Sequence, residues 1–463
     1  MAAPTRAAGG RNRVVVVGAG PVGLLLAAEL RLGGAEVVVL ESREAPTTES
    51  RASTLHARTM EILDSRGLLD RFGTPPNEPR GHFGGIPLDL TLPGPYPGQW
   101  KVPQVRTEAV LQTWARSLGA DIRRGHTVTR VDPGEDGVQV SAQGPGGEIC
   151  LRAGYLVACD GQDSTVRGLV AAEFPGLAAE RRLLRADVAG ISIPDRRFQR
   201  LERGMAVAAR RGDGVTRVMV HEFDGAAPVP GREPDFGAVV DVWKRVTGED
   251  ISGGTPLWTN AFDDASAQLS HYRHGRVLFA GDAAHRQLPV GGQALNLGLQ
   301  DAFNLGWKLA LAVRSEDGGT WTEQLLDSYH AERHPVGMRV LTNIRAQALL
   351  LLGGPDVEAV RSVFAELIGI EEARARLAGT VSGLDIRYDP GPDCGSDPAA
   401  DELVGGRVPP EALDSAARAA LRAGRGFLLD RPDAAAPGRL LVRPDGYVAW
   451  ADPALRTAVT SWE

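Results

Sequence analysis

The chain has 463 residues, 24% of them charged and 43% hydrophobic, and carries a formal net charge of −7 with a pI near 5.8. That length exceeds one ordinary core and predicts two or three domains, while an acidic balance without a basic stripe argues against nucleic acid and anionic membrane surfaces as partners. Three cysteines, Cys150, Cys159 and Cys394, are too few for a disulfide framework and suit a reducing cytoplasm.

Residues 1–11 read as a disordered leader, without the basic–apolar–small pattern of a signal peptide. The apolar run Val14 to Val17 predicts a buried strand, Gly18-Ala19-Gly20-Pro21-Val22-Gly23 a turn, and residues 24–32 an amphipathic helix. In that context Gly18 permits the tight turn, Gly20 lets the backbone approach a pyrophosphate, and Gly23 allows close helix–strand packing. The helix N-terminus then presents free N–H groups to the phosphates. The run 37–40 predicts a second strand ending in Glu41, 21 residues after Gly20, where a carboxylate can accept from the hydroxyls of an adenosine ribose. Residues 58–66 read as a helix and the Pro- and Gly-rich stretch 81–98 as strands and turns reaching away from the nucleotide site. A helix is expected over 107–118 and strands over 121–140.

Residues 155–159 read as a buried strand, with Cys159 a small core residue, Asp160-Gly161 in the turn after it, and Ser164 and Arg167 just beyond. From 174 to 269 short alternating runs, such as 215–223, predict a mainly antiparallel sheet that would roof a substrate cavity. Residues 276–280 predict another buried strand, which delivers Gly281-Asp282-Ala283-Ala284-His285 to the same sheet edge. Helices are expected over 300–313 and 325–352, and the apolar run 348–352 is far too short to span a bilayer. The nine histidines show no metal-ligand spacing, and no internal repeat is found.

One nicotinamide dinucleotide needs only the first glycine turn. A second Asp-Gly turn and a late Gly-Asp turn on the same edge are what a longer cofactor with a ribityl chain would use, Asp282 accepting from ribityl hydroxyls. The three stretches together predict one site for a flavin dinucleotide.

In these and further segments the chain resembles the class A flavoprotein monooxygenases typified by para-hydroxybenzoate hydroxylase. Within that family it is most similar to the actinomycete hydroxylases of aromatic polyketides, particularly angucyclines, with rifampicin monooxygenase further off. The matching segments include Arg58-Thr59-Met60-Glu61, Gly81-His82-Phe83-Gly84-Gly85, Val102-Pro103-Gln104 and Arg106-Thr107-Glu108. They continue through 119–126, 282–285, 289–296, 300–308, 326–335 and 443–450, so the likeness runs over nearly the whole chain.

The resemblance implies an α/β fold: a Rossmann-like FAD-binding domain with an inserted, mainly antiparallel β substrate domain and a shortened thioredoxin-like C-terminal tail. The expected limits are 12–172 for the first part of the FAD domain with its excursion at about 81–100, 173–269 for the substrate domain, 270–395 for the second FAD part and its helices, and 396–463 for the tail. The tail has no Cys-x-x-Cys and can do no redox work. The implied cofactor is FAD, with NADPH or NADH as reductant and O2 as co-substrate. The implied reaction is hydroxylation of a polycyclic aromatic polyketide in antibiotic biosynthesis through a flavin C4a-hydroperoxide. Dehydration or ring cleavage of such a substrate, or silent flavin and metabolite binding, are the competing readings. The protein would be cytoplasmic, a monomer or homodimer, without nucleic-acid, membrane or metal partners.

Site residues follow from the same likeness. Gly18, Gly20, Pro21, Val22, Gly23, Glu41 and Ser42 serve the adenosine and pyrophosphate end, and Arg51 the phosphates. Gln104 and Arg106 bracket the position of a flavin-contacting side chain, and which of them points inward is open. Asp160, Gly161, Gly281 and Asp282 meet the ribityl region. Pro289, Gly292, Gln293, Ala294, Leu295 and Asn296 line the ring, the N–H groups around Leu295 and Asn296 stabilising charge on the reduced flavin. No side-chain acid or base stands out; Pro289, Leu295 and Asn296 are the catalytic candidates as ring environment. His285 and Arg286 follow the Gly-Asp turn and are placed near the flavin or at a structural strand end. His82, Phe83 and His221 are candidates for the substrate cavity. Ala294 replaces a glycine usual in the family, and strain is expected there if that position needs φ > 0.

Overall fold

Four consecutive valines, Val14 to Val17, are almost completely buried and form the strand Arg13–Val17 at the centre of a six-stranded sheet. β-branched side chains suit a strand covered on both faces. In the computed structural model, which describes residues 10–48, 52–225, 234–315, 319–389, 403–431 and 438–452, this strand pairs in parallel with Tyr155–Ala158 on one side and Glu36–Glu41 on the other. Val277–Phe279 and Asp121–Arg124 extend the parallel sheet outward. The three loops predicted to bind the cofactor therefore leave three adjacent strands at their C-terminal ends, where ligands bind in open α/β sheets.

Helix α1 (Pro21–Leu32) packs on this sheet. Helix α2 (Ala57–Ser65) and helix α3 (Gln104–Ser117) follow; α3 begins three residues before the predicted start, which brings Gln104 into its first turn. The short α4 (Thr165–Leu169) is capped by Ser164, whose hydroxyl accepts from the Arg167 N–H at 3.0 Å.

The inserted sheet is antiparallel throughout, in the order Arg196–Leu201, Gly204–Arg210, Val215–Glu222, Arg182–Ala189, Thr255–Asp263. Its sequence alternates because each face has its own environment. Leu184, Ala186, Val188, Ala206, Ala208, Val218 and Val220 form an apolar layer with Val239, Trp243 and Val246 of helix α5 (Phe236–Thr247). That helix was not foreseen in a stretch read as strands. The signals were present: Asp235 caps it by accepting from the Ala238 N–H at 2.7 Å, and Gly248 ends it in a left-handed conformation.

Helix α6 runs from Gln293 to Arg314, starting seven residues earlier than predicted. It lies against α1 and against α7 (Thr320–Leu352), which contains Pro335. Helices α8 (Glu358–Ile368) and α9 (Glu371–Ser382) close over Phe83 and Leu88. The C-terminal segment comprises α10 (Ser415–Arg422) and a three-stranded antiparallel sheet, Phe427–Arg431, Gly438–Val442 and Val448–Asp452. Buried charges fasten it to the body. Arg443 donates to both oxygens of Glu332 at 2.7 and 2.9 Å, Glu332 also meets Lys308 Nζ at 2.8 Å, and Trp307 Nε1 donates to Asp445 at 3.0 Å. Among the described residues no helix is long and apolar enough to cross a membrane, and no cluster of His, Cys, Asp or Glu could hold a metal ion.

Candidate cofactor and substrate site

The nucleotide end is shaped by what its glycines leave empty. Gly18 adopts φ +101°, and a Cβ there would stand 2.4 Å from the Cys159 carbonyl oxygen. A Cβ on Gly23 would meet the Gly18 carbonyl oxygen at 2.1 Å, so helix and strand touch backbone to backbone. At Gly20 and Gly161, by contrast, a Cβ would have no heavy-atom neighbour within 4 Å. These two glycines border open space at the end of the sheet. Glu41 lies at the same end: Oε2 accepts the Ala19 N–H at 2.7 Å and Oε1 the Arg43 N–H at 2.9 Å. Its carboxylate is thus held in place by backbone and keeps lone pairs for a ribose. Ser42 sits beside it, its hydroxyl 3.4 Å from Oε1.

Arg167 ties the second turn to the third. Its guanidinium donates to the Gln162 carbonyl at 2.6 Å and the Ala283 carbonyl at 3.1 Å, and stacks 4.0 Å from the Phe174 ring centroid. Asp160 accepts the Val166 N–H through Oδ2 at 3.1 Å, while its Oδ1 is buried without a partner. Burial raises the pKa of this carboxyl. Beneath the third turn, Asp301 of α6 is completely buried and accepts the Gly281 N–H at 3.2 Å, His285 Nε2–H at 2.7 Å and Arg333 Nε–H at 2.8 Å. His285 is therefore a strut. Arg286 pairs with Asp263 at 2.7 Å, and Asp282 stays exposed at the turn.

The loop expected to face the flavin ring is fixed by Asn296. Its Oδ1 accepts from the His56 N–H at 2.9 Å and the Thr59 hydroxyl at 2.6 Å, and its Nδ2 donates to the Gly292 carbonyl at 2.7 Å and the Thr54 carbonyl at 3.1 Å. His56, fully buried, donates Nε2–H to the Gly291 carbonyl at 2.9 Å and leaves Nδ1 without a partner. Burial drops its pKa to about 4, so the ring is neutral. Gly291 and Gly292 carry the left-handed conformation, φ +65° and +69°. Ala294 does not; it occupies the first turn of α6, which corrects the expectation of backbone strain at that position. The N–H groups of residues 292–295, the N-cap and first three positions of a 22-residue helix, have no intrahelical acceptors, a positive end suited to developing negative charge.

Beyond this loop lies a cavity of about 630 Å³. Pro289, Gly292, Ala294 and Leu295 form one wall, and Phe198, Val207 and Met219 of the antiparallel sheet are apolar parts of the other. His82 lines it too. The His82 ring lies 4.1 Å from that of Phe198, and Nδ1 accepts the Gly85 N–H at 3.2 Å, which leaves Nε2–H as the donor. Burial, with Arg197 and Lys101 nearby, lowers its pKa to about 4.

Other expectations are corrected. Phe83 alternates away from His82 and stacks 5.1 Å from Phe364 in a separate apolar cluster. His221 does not line the cavity: its ring nitrogens lie 2.7 Å from the Arg182 carbonyl and 3.0 Å from that of Leu352, bracing sheet against helix. Arg106 is exposed and donates to the Arg71 carbonyl at 2.7 Å, whereas Gln104 accepts the Ala52 N–H at 3.2 Å; of the pair, Gln104 turns inward. Arg51 falls outside the described residues. Sequence reasoning missed His56, Lys101, Arg185 and Arg197. For Arg185 a signal existed, a charge within the buried run Leu183 to Val188.

The open backbone at Gly20 and Gly161, the orphaned Asp160 oxygen and the helix start before the cavity fit a flavin dinucleotide extended along the sheet edge. Comparison with known proteins agrees. The FAD binding domain family matches residues 11–344. A 12-dehydrotetracycline 5-monooxygenase/anhydrotetracycline 6-monooxygenase of Streptomyces rimosus is 40% identical across 95% of each chain. BexE, from a study of oxidation during BE-7585A biosynthesis, superposes with a TM-score of 0.88 at 46% identity, over 97% of this chain and 98% of that one. CabE, an aromatic hydroxylase from angucycline biosynthesis, gives 0.88 at 42% identity over the same shares. The chain belongs to the FAD-binding-domain family of class A flavoprotein monooxygenases. It is an FAD-dependent monooxygenase, with NAD(P)H and O2 as the co-substrates typical of these enzymes.

Proposed function

We propose that this monooxygenase hydroxylates a polycyclic aromatic polyketide in antibiotic biosynthesis, the fused rings lying in the cavity between the antiparallel sheet and residues 289–295. The observation that carries this reading is the cavity itself: about 630 Å³ of space, within the range of small-molecule sites, with Phe198, Val207 and Met219 as apolar parts of a wall that also carries charge, and residues 289–295 opposite. Bound FAD supplies the redox chemistry, taking electrons from NAD(P)H and activating O2.

The protein's part is placement. Gly18, Gly20, Pro21, Val22 and Gly23 take the pyrophosphate, Glu41 and Ser42 the adenosine ribose, and Asp160, Gly161, Gly281 and Asp282 the ribityl chain. Gly292 to Asn296 hold the ring edge, where the first turn of α6 favours negative charge. Pro289 limits water at the reacting face, and His82 offers Nε2–H to a substrate oxygen. The division at 12–172, 173–269, 270–395 and 396–463, with a shortened thioredoxin-like tail, belongs to the same reading, as do a cytoplasmic location and a monomer or homodimer. Purified, FAD-loaded protein should consume NADPH faster with a polycyclic phenol and return a product heavier by one oxygen atom. A product of unchanged or reduced oxygen content would sink hydroxylation, and unstimulated NADPH consumption would sink the enzyme's proposed substrate class.

A further inference from the structure

The cavity-facing side of the antiparallel sheet carries charge where a roof over flat aromatic rings would be expected to be apolar. Leu184, Ala186 and Val188 turn to α5, so Arg185 and Asp187 on the same strand turn to the opposite face. The Asp187 carboxylate is taken up by Arg217, at 2.7 and 2.9 Å, and by Arg211 at 3.0 Å. Arg185 is 4% exposed and lines the cavity. Its Nε donates to Asn260 Oδ1 at 3.0 Å, directly opposite in register, and its guanidinium lies 4.5 Å and 4.4 Å from the ring centroids of Trp258 and Phe262. A guanidinium clasped between two aromatic rings has a fixed plane.

The balance of charge around the cavity points the same way. Lys101, Arg185, Arg196, Arg197, Arg210 and Arg217 line it, against Glu78 and Asp195. Glu78 is shared between Arg197 at 2.7 Å and Lys101 at 3.6 Å, and Arg196 is matched from behind by Glu249 at 2.7 Å. Counting Asp187 and Glu249 as well, six cations face four carboxylates. Excess positive charge in a low-dielectric cleft is costly alone and attracts anions. Burial lowers the pKa of His82, which lines the cavity, and the charges of Arg197 and Lys101 lower it further.

We propose that Arg185 receives an anionic oxygen of the substrate, so that the aromatic compound taken by this cavity is an acid, either a carboxylate or an ionised phenol. This rests on reading the cavity as the substrate site. Arg185 is then a specificity residue: its fork of N–H donors matches such an oxygen in strength and geometry, and the Trp258–Phe262 clasp orients it before substrate arrives.

The test uses FAD-loaded protein and three probes: an anthraquinone carboxylate, its neutral methyl ester, and a hydroxyanthraquinone titrated through its phenol ionisation. Dissociation constants are read from the perturbation of flavin absorbance. Either the carboxylate binds at least about tenfold more tightly than its ester, the size expected for one charge-assisted contact, or affinity for the phenol rises by a like factor as it ionises. The first result assigns a carboxylate, the second a phenolate. Arg185→Met should erase the preference and Arg185→Lys retain part of it. If Arg185→Met does not fold, Asn260→Leu, which removes the Nε acceptor, is read in the same way. Equal binding of acid and ester together with a flat phenol titration overturns the proposal, as does a preference that survives in folded Arg185→Met. NADPH consumption is followed in parallel. If the ester stimulates it as well as the acid does, the monooxygenase reading stands and the anion falls; if acid outbinds ester yet no probe stimulates consumption, the anion stands and the substrate reading falls.

Discussion

The His56 imidazole works with Asn296 to fix the loop proposed to face the flavin. His56 gives its one ring proton to the Gly291 carbonyl and its backbone N–H to Asn296, so strand and loop move together. With its pKa lowered from 6.5 to about 4 by burial, the folded protein refuses a proton that the unfolded chain accepts. The stability this residue supplies is complete above about pH 6.5 and is lost as pH falls toward 4. Wild-type unfolding free energy, measured by urea titration, should therefore decline across that window. In His56→Gln the decline should be shallower, by on the order of 3 kcal/mol between the limits. Parallel pH profiles would refute this account of His56. The sequence offered no reason to single this residue out. Its role comes from contacts 235 and 240 positions away, and no local motif encodes those.

The start of α6 shows what an element adds to its residues. The motif Gly291-Gly292-Gln293-Ala294 is legible as a ring-facing segment, but its conformation was not. The two left-handed residues are the glycines, and the helix begins immediately after them. A Cβ on Gly292 would lie 3.1 Å from His56 Nε2 and 3.2 Å from Thr54 Cβ, at φ +69°. Gly292→Ala should destabilise the protein by roughly 1–2 kcal/mol through backbone strain alone and leave a larger fraction without FAD, read from thermal melts and the flavin absorbance ratio. Ala294→Gly should cost no more than about 1 kcal/mol and leave flavin content unchanged, because a helical position gains nothing from glycine. A stabilised, fully loaded Gly292→Ala would overturn the assignment of the loop. The parallel-sheet strands and their turns were readable because apolar runs and glycine spacing are local signals. The helix α5 had caps as clear as any, yet the alternating strands around it dominated the pattern.

At the scale of the whole molecule, the C-terminal segment is held by ions that lost their water on folding. Burial alone would raise the Glu332 pKa, but the charges of Arg443 and Lys308 hold it well below the usual carboxylate range; Lys308 itself falls to about 8 through burial. The contribution of Glu332 is full above its ordinary pKa of about 4.3 and declines as pH drops below it. Glu332→Ala should cost about 3–5 kcal/mol, since it leaves two buried cations facing less charge, and should expose residues 403–452 to protease before the body unfolds. Unchanged melting and unchanged proteolysis would show that the tail docks by other means. Glu332 and Arg443 are 111 residues apart, so only the outline of this docking, a recognisable tail after the last long helix, could be read from the chain. The two-faced antiparallel sheet carries one more consequence. Because alternate residues of Arg182–Ala189, Gly204–Arg210 and Val215–Glu222 belong to α5 and to the cavity, cavity-facing positions such as 207 and 219 can be varied without touching the layer against α5, provided Arg217 stays to neutralise the buried Asp187. A scaffold built this way lets selection rewrite what is accepted while the architecture is inherited unchanged.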